Sequence, residues 1–158
     1  KLVFDFLPKT HNEPDWIAVG RLDINTSGLM LFTNDGVLAH ELMHPSFEID
    51  REYLVRARGY FNEQKKKNML AGINIENEIY KFSDIVPGEK QSSNQWFSVC
   101  MLTGKNREVR KLFESQDLEV SRLKRVRIGP IFLPSTLREG SCMNLTESQI
   151  QELQEYGK

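Results

Sequence analysis

One carboxylate, that of Asp23, stands in a polar turn between two apolar stretches. Residues 20–36 read Gly-Arg-Leu-Asp-Ile-Asn-Thr-Ser-Gly-Leu-Met-Leu-Phe-Thr-Asn-Asp-Gly, with apolar residues before the turn at 17–22 and after it at 29–32. A carboxylate held in a turn between buried strands is where an enzyme places a nucleophile or a general base. Aspartate is also common in turns that do no chemistry. Asp23 alone therefore indicates a candidate catalytic group and not yet a reaction.

A second pattern has the spacing of a zinc peptidase. His40-Glu-Leu-Met-His44 is an HExxH string, in which two histidines one helical turn apart bind zinc and Glu41 serves as the base. Pro45 follows directly, so we expect His44 at or past the helix end, where the two rings need not share a face. His11 is the only other histidine. We therefore expect no metal site, and keep a zinc peptidase built on His40, Glu41 and His44 as an alternative.

The net charge of −1 hides a basic segment. Between positions 105 and 127 stand eight lysines and arginines against four acidic residues, and the chain turns acidic after Arg138. A surface that follows nucleic-acid phosphates needs such a segment. A solvated helix and strand of mixed charge fits the same composition.

The composition is that of one soluble globular domain. The 158 residues are 39% hydrophobic and 27% charged, and no apolar run approaches the roughly 20 residues that span a bilayer. Cys100 and Cys142 form neither a CxxC pair nor a disulfide framework, which favours a reducing cytoplasm. No heptad pattern or long apolar edge is evident, so we expect a monomer.

The apolar periodicity predicts more strands than helices. Tyr53, Val55 and Ala57 alternate with polar residues, and Thr146 with Gln149 forms a capping box. We predict an α+β fold: a mixed, largely antiparallel sheet flanked by helices. A polar loop is expected at 87–94. The predicted strands are 16–22, 28–33, 51–58, 79–86, 95–103 and 120–128, and the predicted helices follow caps at Asp35, Asn62, Asn106 and Thr146.

Five collinear motifs resemble those of RNA pseudouridine synthases, in the branch named after the small-subunit rRNA enzyme RsuA. They are the GRLD-type run at 20–36, the L-x-HPS turn at 42–46, the R-x-Y-x-V strand at 51–55, the G-x-N-R-x-V-R helix start at 104–112, and the RL-x-R-x-R-x-G strand at 121–129. Details such as Asn94-Gln-Trp, Asn106-Arg-Glu and Leu133-Pro most resemble the family's enzymes for large-subunit (23S) rRNA.

The resemblance implies a catalytic domain over residues 1–158, without the N-terminal S4-type RNA-binding module and first strand usual in the family. It implies isomerisation of a uridine in a 23S rRNA stem-loop to pseudouridine, without cofactor or metal. The N1–C1′ bond breaks, the base rotates, and C5 joins C1′. Attack on C1′, a glycal path and a C6 adduct all remain open.

The same resemblance implies roles for particular residues. Asp23 is the essential carboxylate, Arg110 its positive partner, and Tyr53 stacks on the target uracil. Because uridine in folded RNA is stacked, the base must be extruded, and Arg21 is expected to fill the gap or bind the next phosphate. The remaining expected RNA contacts are Asn106, Arg107, Arg122, Lys124, Arg125 and Arg127.

Overall fold

The computed structural model describes residues 3–9, 15–105 and 107–156. A 3₁₀ turn at Val3–Phe6 precedes ten strands and four α-helices in this part of the chain. The helices are α1 (Gly36–Met43), α2 (Glu63–Ala71), α3 (Glu108–Ser115) and α4 (Glu147–Glu155). The strands are β1 (Ile17–Val19), β2 (Ser27–Gly28), β3 (Leu31–Thr33), β4 (Arg51–Arg58), β5 (Ile73–Ile75), β6 (Glu78–Tyr80), β7 (Asp84–Gln91), β8 (Asn94–Met101), β9 (Glu119–Ile128) and β10 (Ile131–Phe132).

A six-stranded sheet forms the centre of the fold. Its order is β10-β9-β4-β8-β7, with β2 added to β9. The pairing of β2 with β9 is parallel and every other pairing in this sheet is antiparallel. Two-stranded ribbons, β1-β3 and β5-β6, lie beside it. The predicted α+β fold with a mixed, largely antiparallel sheet is confirmed.

One face of the central sheet is buried under α3. Tyr53, Val55 and Ala57 point to this inner face, where they pack with Leu112 and Phe113 of the helix. The helix buries the predicted side because its apolar residues recur at three- and four-residue spacing. A second apolar cluster around Ile49, Ile128 and Leu153 joins the β9-β10 edge to α1 and α4.

Register shifts in the β4-β9 pair decide which β9 side chains share the inner face. They fall between Glu52 and Tyr53 and between Arg56 and Ala57. Leu123 and Arg125 therefore point to the inner face, and Arg122 and Lys124 to the outer face, because neighbouring strand residues alternate between faces. The shift between Glu52 and Tyr53 falls between Arg125 and Arg127, so Arg127 also lies on the outer face.

Local predictions hold where a cap or a strict alternation marks the element. The Asp35 carboxylate accepts from the amides of Val37 and Leu38 at the start of α1, and Thr146 and Gln149 form the capping box of α4. Strand β4 has the predicted bounds.

Other predicted elements are wrong in extent. The expected loop at 87–94 is mostly strand, since β7 runs to Gln91 and pairs with β8 through a register shift after Pro87. Proline is tolerated at such an irregularity on an edge strand. The expected strand at 16–22 is reduced to the three residues of β1. The expected strand at 28–33 is replaced by the two residues of β2 and the three residues of β3, and residues 20–26 lie outside any strand. Within the described residues, no helix is long and apolar enough to cross a membrane.

Candidate active site

Asp23 lies in a tight turn that leaves the end of β1 and enters β2. The amide of Thr26 donates to the Asp23 carbonyl at 2.9 Å, which closes the turn over Ile24 and Asn25. The Asp23 side chain is half-buried. This turn, with the residues on either side of it, forms the catalytic segment, defined as residues 20–29.

Gly28 lets the catalytic segment approach β9 more closely than any other residue could. Its φ is +115°, and a Cβ added there would meet the Arg125 carbonyl oxygen at 2.1 Å. The next amide, that of Leu29, donates to the same oxygen at 2.8 Å. Only glycine combines this backbone conformation with such a close approach, so Gly28 attaches the segment to the sheet.

The Arg125 side chain attaches the segment a second time. Its guanidinium is 4% exposed and donates from Nε to the Leu29 carbonyl at 2.9 Å and from Nη1 to the Arg21 carbonyl at 3.3 Å. Nη2 is buried without a hydrogen-bond partner. Arg125 thus links the two ends of the catalytic segment through hydrogen bonds from β9.

Arg110 of α3 holds the middle of the same segment. Its Nη2 donates to the Asn25 carbonyl at 2.8 Å, and the side chain is buried. Burial lowers the pKa of Arg110 and the charge of Arg107 lowers it further, whereas the nearby Asp23 carboxylate opposes the shift. The expected ion pair between Arg110 and Asp23 is not among those formed by the described residues. Arg110 therefore acts on Asp23 through the turn and through its field.

A cleft of about 160 Å³ opens between the catalytic segment, β4 and the start of α3. Asp23 and Tyr53 both line it. Tyr53 is 9% exposed and lies opposite Arg125 in the β4-β9 register. In the described part of the chain, no residue forms a hydrogen bond with the Asp23 carboxylate or the Tyr53 hydroxyl. Both groups are therefore available to a ligand in the cleft.

The cleft is rich in positive charge. Of the charged side chains that line it, five are cationic and two anionic: Arg21, Arg51, Lys105, Arg107 and Arg125 against Asp23 and Glu108. A cationic cleft attracts a polyanion.

Two charged residues of the cleft, in addition to Lys105, are absent from the predicted site. Arg51 donates from Nη1 to the carbonyls of Ile49 and Leu102 at 3.1 and 3.2 Å, and burial lowers its pKa. The i, i+2 spacing from Arg51 to Tyr53 on a strand could have predicted their shared face.

Glu108 is the other, and it is 3% exposed. Burial raises the pKa of its carboxyl group, against the hydrogen bond that the Thr103 hydroxyl donates at 2.7 Å. In the sequence it is part of the Asn106-Arg-Glu string but otherwise resembles an ordinary acidic residue of a first helical turn, so no role was predicted for it.

Comparison with known proteins decides the family. Residues 4–115 match the family described as RNA pseudouridylate synthase. The chain belongs to this family. It is 51% identical over 155 residues to the ribosomal large subunit pseudouridine synthase B of Pseudomonas aeruginosa, and 46% identical over 153 residues to that of Escherichia coli. These alignments cover 97% of this chain but 40% and 52% of the relatives, so the chain spans about half their length.

The fold of this pseudouridylate synthase family member also matches solved structures. A crystal structure of a pseudouridylate synthase superposes with a TM-score of 0.79 at 27% identity, covering 96% of this chain and 64% of that one. An H/ACA ribonucleoprotein structure bound to a substrate RNA containing 2′-deoxyuridine superposes with a TM-score of 0.63 at 21% identity, over 80% of this chain and 43% of that one. The second likeness shows a shared fold alone.

The structure separates the basic residues expected to contact RNA. Arg21 and Arg107 are exposed at the cleft. The expected phosphate contact Arg125 is instead buried beneath the catalytic segment. Arg122 and Lys124 are exposed on the outer face and are not among the residues that line the cleft. Asn106 lies outside the described residues.

Arg127 also departs from its expected role. It lies on the outer face with its guanidinium 2.8 Å from Asp50 and 3.1 Å from Glu52. Burial opposes ionisation of Asp50, but hydrogen bonds from Arg127 and Tyr156 outweigh it and lower the Asp50 pKa. Arg127 is thus engaged in an ion-pair network that stabilises the fold.

The HExxH residues stand at the end of α1, away from the cleft. His44 is the C-cap, as predicted, and its Nδ1 lies 2.8 Å from the Ser46 hydroxyl. The His40 and His44 ring centroids are 5.9 Å apart, so the two rings lie close together although His44 stands past the end of the helix. His11 lies outside the described residues, and those described contain no group of three side chains suited to a metal ion.

Proposed function

We propose that this chain isomerises a uridine to pseudouridine in RNA, with large-subunit (23S) rRNA as its substrate. The observation that carries the proposal is the pairing of Asp23 and Tyr53 in one cationic cleft, in a chain of the RNA pseudouridylate synthase family. The relatives' name, ribosomal large subunit pseudouridine synthase B, supports the choice of RNA.

The chemistry is an isomerisation whose atoms balance without a cofactor. The C1′–N1 bond of the uridine breaks, a C1′–C5 bond forms, and the proton lost from C5 is replaced by one on N1. Asp23 serves as the nucleophile at C1′ or C6, or as the base that removes the C2′ proton. Each role needs an ionised carboxylate.

The other cleft residues take supporting roles. Tyr53 presents its ring to stack on the extruded uracil and its hydroxyl to relay a proton. Arg21 and Arg107, exposed at the cleft, hold the displaced strand, because guanidinium groups bind phosphate and stack on bases. Arg110 keeps the Asp23 turn in place through its bond to the Asn25 carbonyl. We propose that the chain does this as a monomer in the cytoplasm, on a stem-loop of the rRNA.

The experiment is to incubate unmodified 23S rRNA, transcribed in vitro, with the wild-type chain and with Asp23→Asn, and to map pseudouridine by carbodiimide labelling. We expect one modified uridine with the wild type and none with Asp23→Asn. Unmodified 16S rRNA is the matched control for substrate choice. Modification of 16S rRNA alone would refute the 23S assignment. Absence of pseudouridine from both RNAs, with folded protein at saturating concentration, would refute the activity.

A further inference from the structure

A buried tyrosine holds two lysine ammonium groups next to the cleft. Tyr80 of β6 is 4% exposed. The Lys105 Nζ lies 4.8 Å from its ring centroid and the Lys111 Nζ 5.3 Å. A cation is attracted to an aromatic face at this distance, so one ring positions both charges.

Hydrogen bonds fix the two ammonium groups further. The Lys111 Nζ donates to the Tyr80 hydroxyl at 3.4 Å, and that hydroxyl donates to Glu78 at 3.1 Å. The Lys105 Nζ donates to the Ile79 carbonyl. An ammonium group has three donors, so each lysine keeps donors for a ligand. In the described part of the chain neither lysine is in an ion pair with a carboxylate.

The two lysines continue the positive surface of the cleft outward. Lys105 itself lines the cleft, as does Arg107. Arg107 is the N-cap of α3, and the amide of Lys111, in the first turn of the helix, donates to the Arg107 carbonyl at 2.9 Å. A basic path therefore runs from the mouth of the cleft along the side of α3 to Tyr80.

We propose that Lys105 and Lys111, held on Tyr80, form a phosphate-binding site for the RNA strand that leaves the cleft beside the extruded uridine. The inference rests on the proposed function and adds a second part to it. Lysine is a compact point charge suited to phosphate oxygens. The Tyr80 ring restricts both lysine side chains, and the Ile79 carbonyl further restricts that of Lys105. Binding phosphate therefore costs less side-chain entropy than at two free surface lysines.

The outer face of the sheet offers a competing basic surface. Arg122 and Lys124 are exposed there, and the Arg56 guanidinium lies 5.9 Å from the Trp96 ring centroid. This surface is on the opposite side of the sheet from Asp23. Because Lys105 lines the cleft that contains Asp23 and the outer-face residues do not, we favour the Tyr80 site and make the outer face an arm of the test.

The experiment measures the dissociation constant for a fluorescently labelled 23S rRNA transcript at several salt concentrations. The variants are Lys105→Gln/Lys111→Gln and Lys111→Arg, with Lys66→Gln/Lys67→Gln on α2 as the matched control and Arg122→Gln/Lys124→Gln for the outer face. Each phosphate contact that is lost lowers the slope of log affinity against log salt by about 0.7–0.9. We expect the Lys105/Lys111 pair to lower the slope by about 1.5, and Lys111→Arg and the α2 pair to leave it at the wild-type value.

Single-turnover pseudouridine formation is measured with the same proteins over a range of RNA concentrations. We expect the Lys105/Lys111 variant to need a higher RNA concentration than the wild type to reach half of its maximal rate, because the substitution removes binding to substrate RNA. If the Lys105/Lys111 variant has the wild-type salt slope and the wild-type protein forms pseudouridine, the Tyr80 site is refuted and the proposed function is not. A lowered slope in the outer-face variant instead would place the RNA there and also overturn the Tyr80 site. Absence of pseudouridine with every protein would refute the proposed function.

Discussion

Replacing Arg125 by methionine removes the guanidinium that joins the two ends of the catalytic segment, while a long apolar stem remains. Two hydrogen bonds from a charged donor disappear, to the carbonyls of Leu29 and Arg21, and each contributes about 1.5–3 kcal/mol. Relief of the unpartnered Nη2 returns about 1–3 kcal/mol. Subtracting the low end of the gain from the low end of the loss, and the high end from the high end, we expect the free energy of unfolding to fall by about 2–3 kcal/mol and the melting temperature by about 4–12 °C.

The loss of activity should exceed what this loss of stability explains. A shift of the Asp23 turn by 1 Å costs about 100-fold in rate, so we expect the single-turnover rate at saturating RNA to fall by about that factor. Arg122→Met is the matched control, because it makes the same replacement on β9 on the outer face. It should change the free energy of unfolding by less than about 0.5 kcal/mol and leave the rate unchanged. A wild-type rate in Arg125→Met, or equal losses in both variants, would refute the positioning role of Arg125.

Three further changes test how the fold supports the site. Gly28→Ala should destabilise the protein by about 1–3 kcal/mol or more, since its Cβ would meet the Arg125 carbonyl oxygen at 2.1 Å. The control Gly36→Ala should not destabilise the protein, because nothing lies within 4 Å of the added Cβ. Equal melting temperatures of the two variants would contradict this prediction. Asp50→Asn should destabilise the protein at pH 7. Because the folded pKa of Asp50 lies below its ordinary value of 3.8, the difference from wild type should shrink as the pH falls below that value, and a constant difference in denaturant titrations would exclude the linkage. Thr146→Ala should cost about 1 kcal/mol through loss of the capping box, and the same loss with Ser148→Ala would exclude capping as the cause.

The sequence predicts the parts of the fold that local rules determine. β4 follows from strict alternation, α4 from its capping box, and the inner side of α3 from its apolar spacing. The β7 strand past Pro87 does not follow, because tertiary pairing with β8 overrides the local preference for a turn. The short strand β2, inside the catalytic segment, is held by its parallel pairing with β9, about a hundred residues away in the chain.

The site was predictable where motif and strand phase agree. Asp23 and Tyr53 do share one cleft. The four basic residues of β9 could not be assigned from alternation alone, because the register shift between Glu52 and Tyr53 changes the phase between Arg125 and Arg127, so that only Arg125 points inward. The sequence also could not show that Arg110 and Arg125 bind backbone carbonyls, since arginine types alone do not distinguish a phosphate contact from a buried donor.

The central claim is that Asp23 drives the exchange of the C1′–N1 bond for a C1′–C5 bond, and the most direct measurement follows the C5 hydrogen. A 23S rRNA transcript carrying uridine tritiated at C5 releases tritium to water when pseudouridine forms. We predict release of one tritium equivalent per transcript with the wild type and with the exposed control variant Asp15→Asn, and none above background with Asp23→Asn. Tritium release by Asp23→Asn at the wild-type rate would contradict the account.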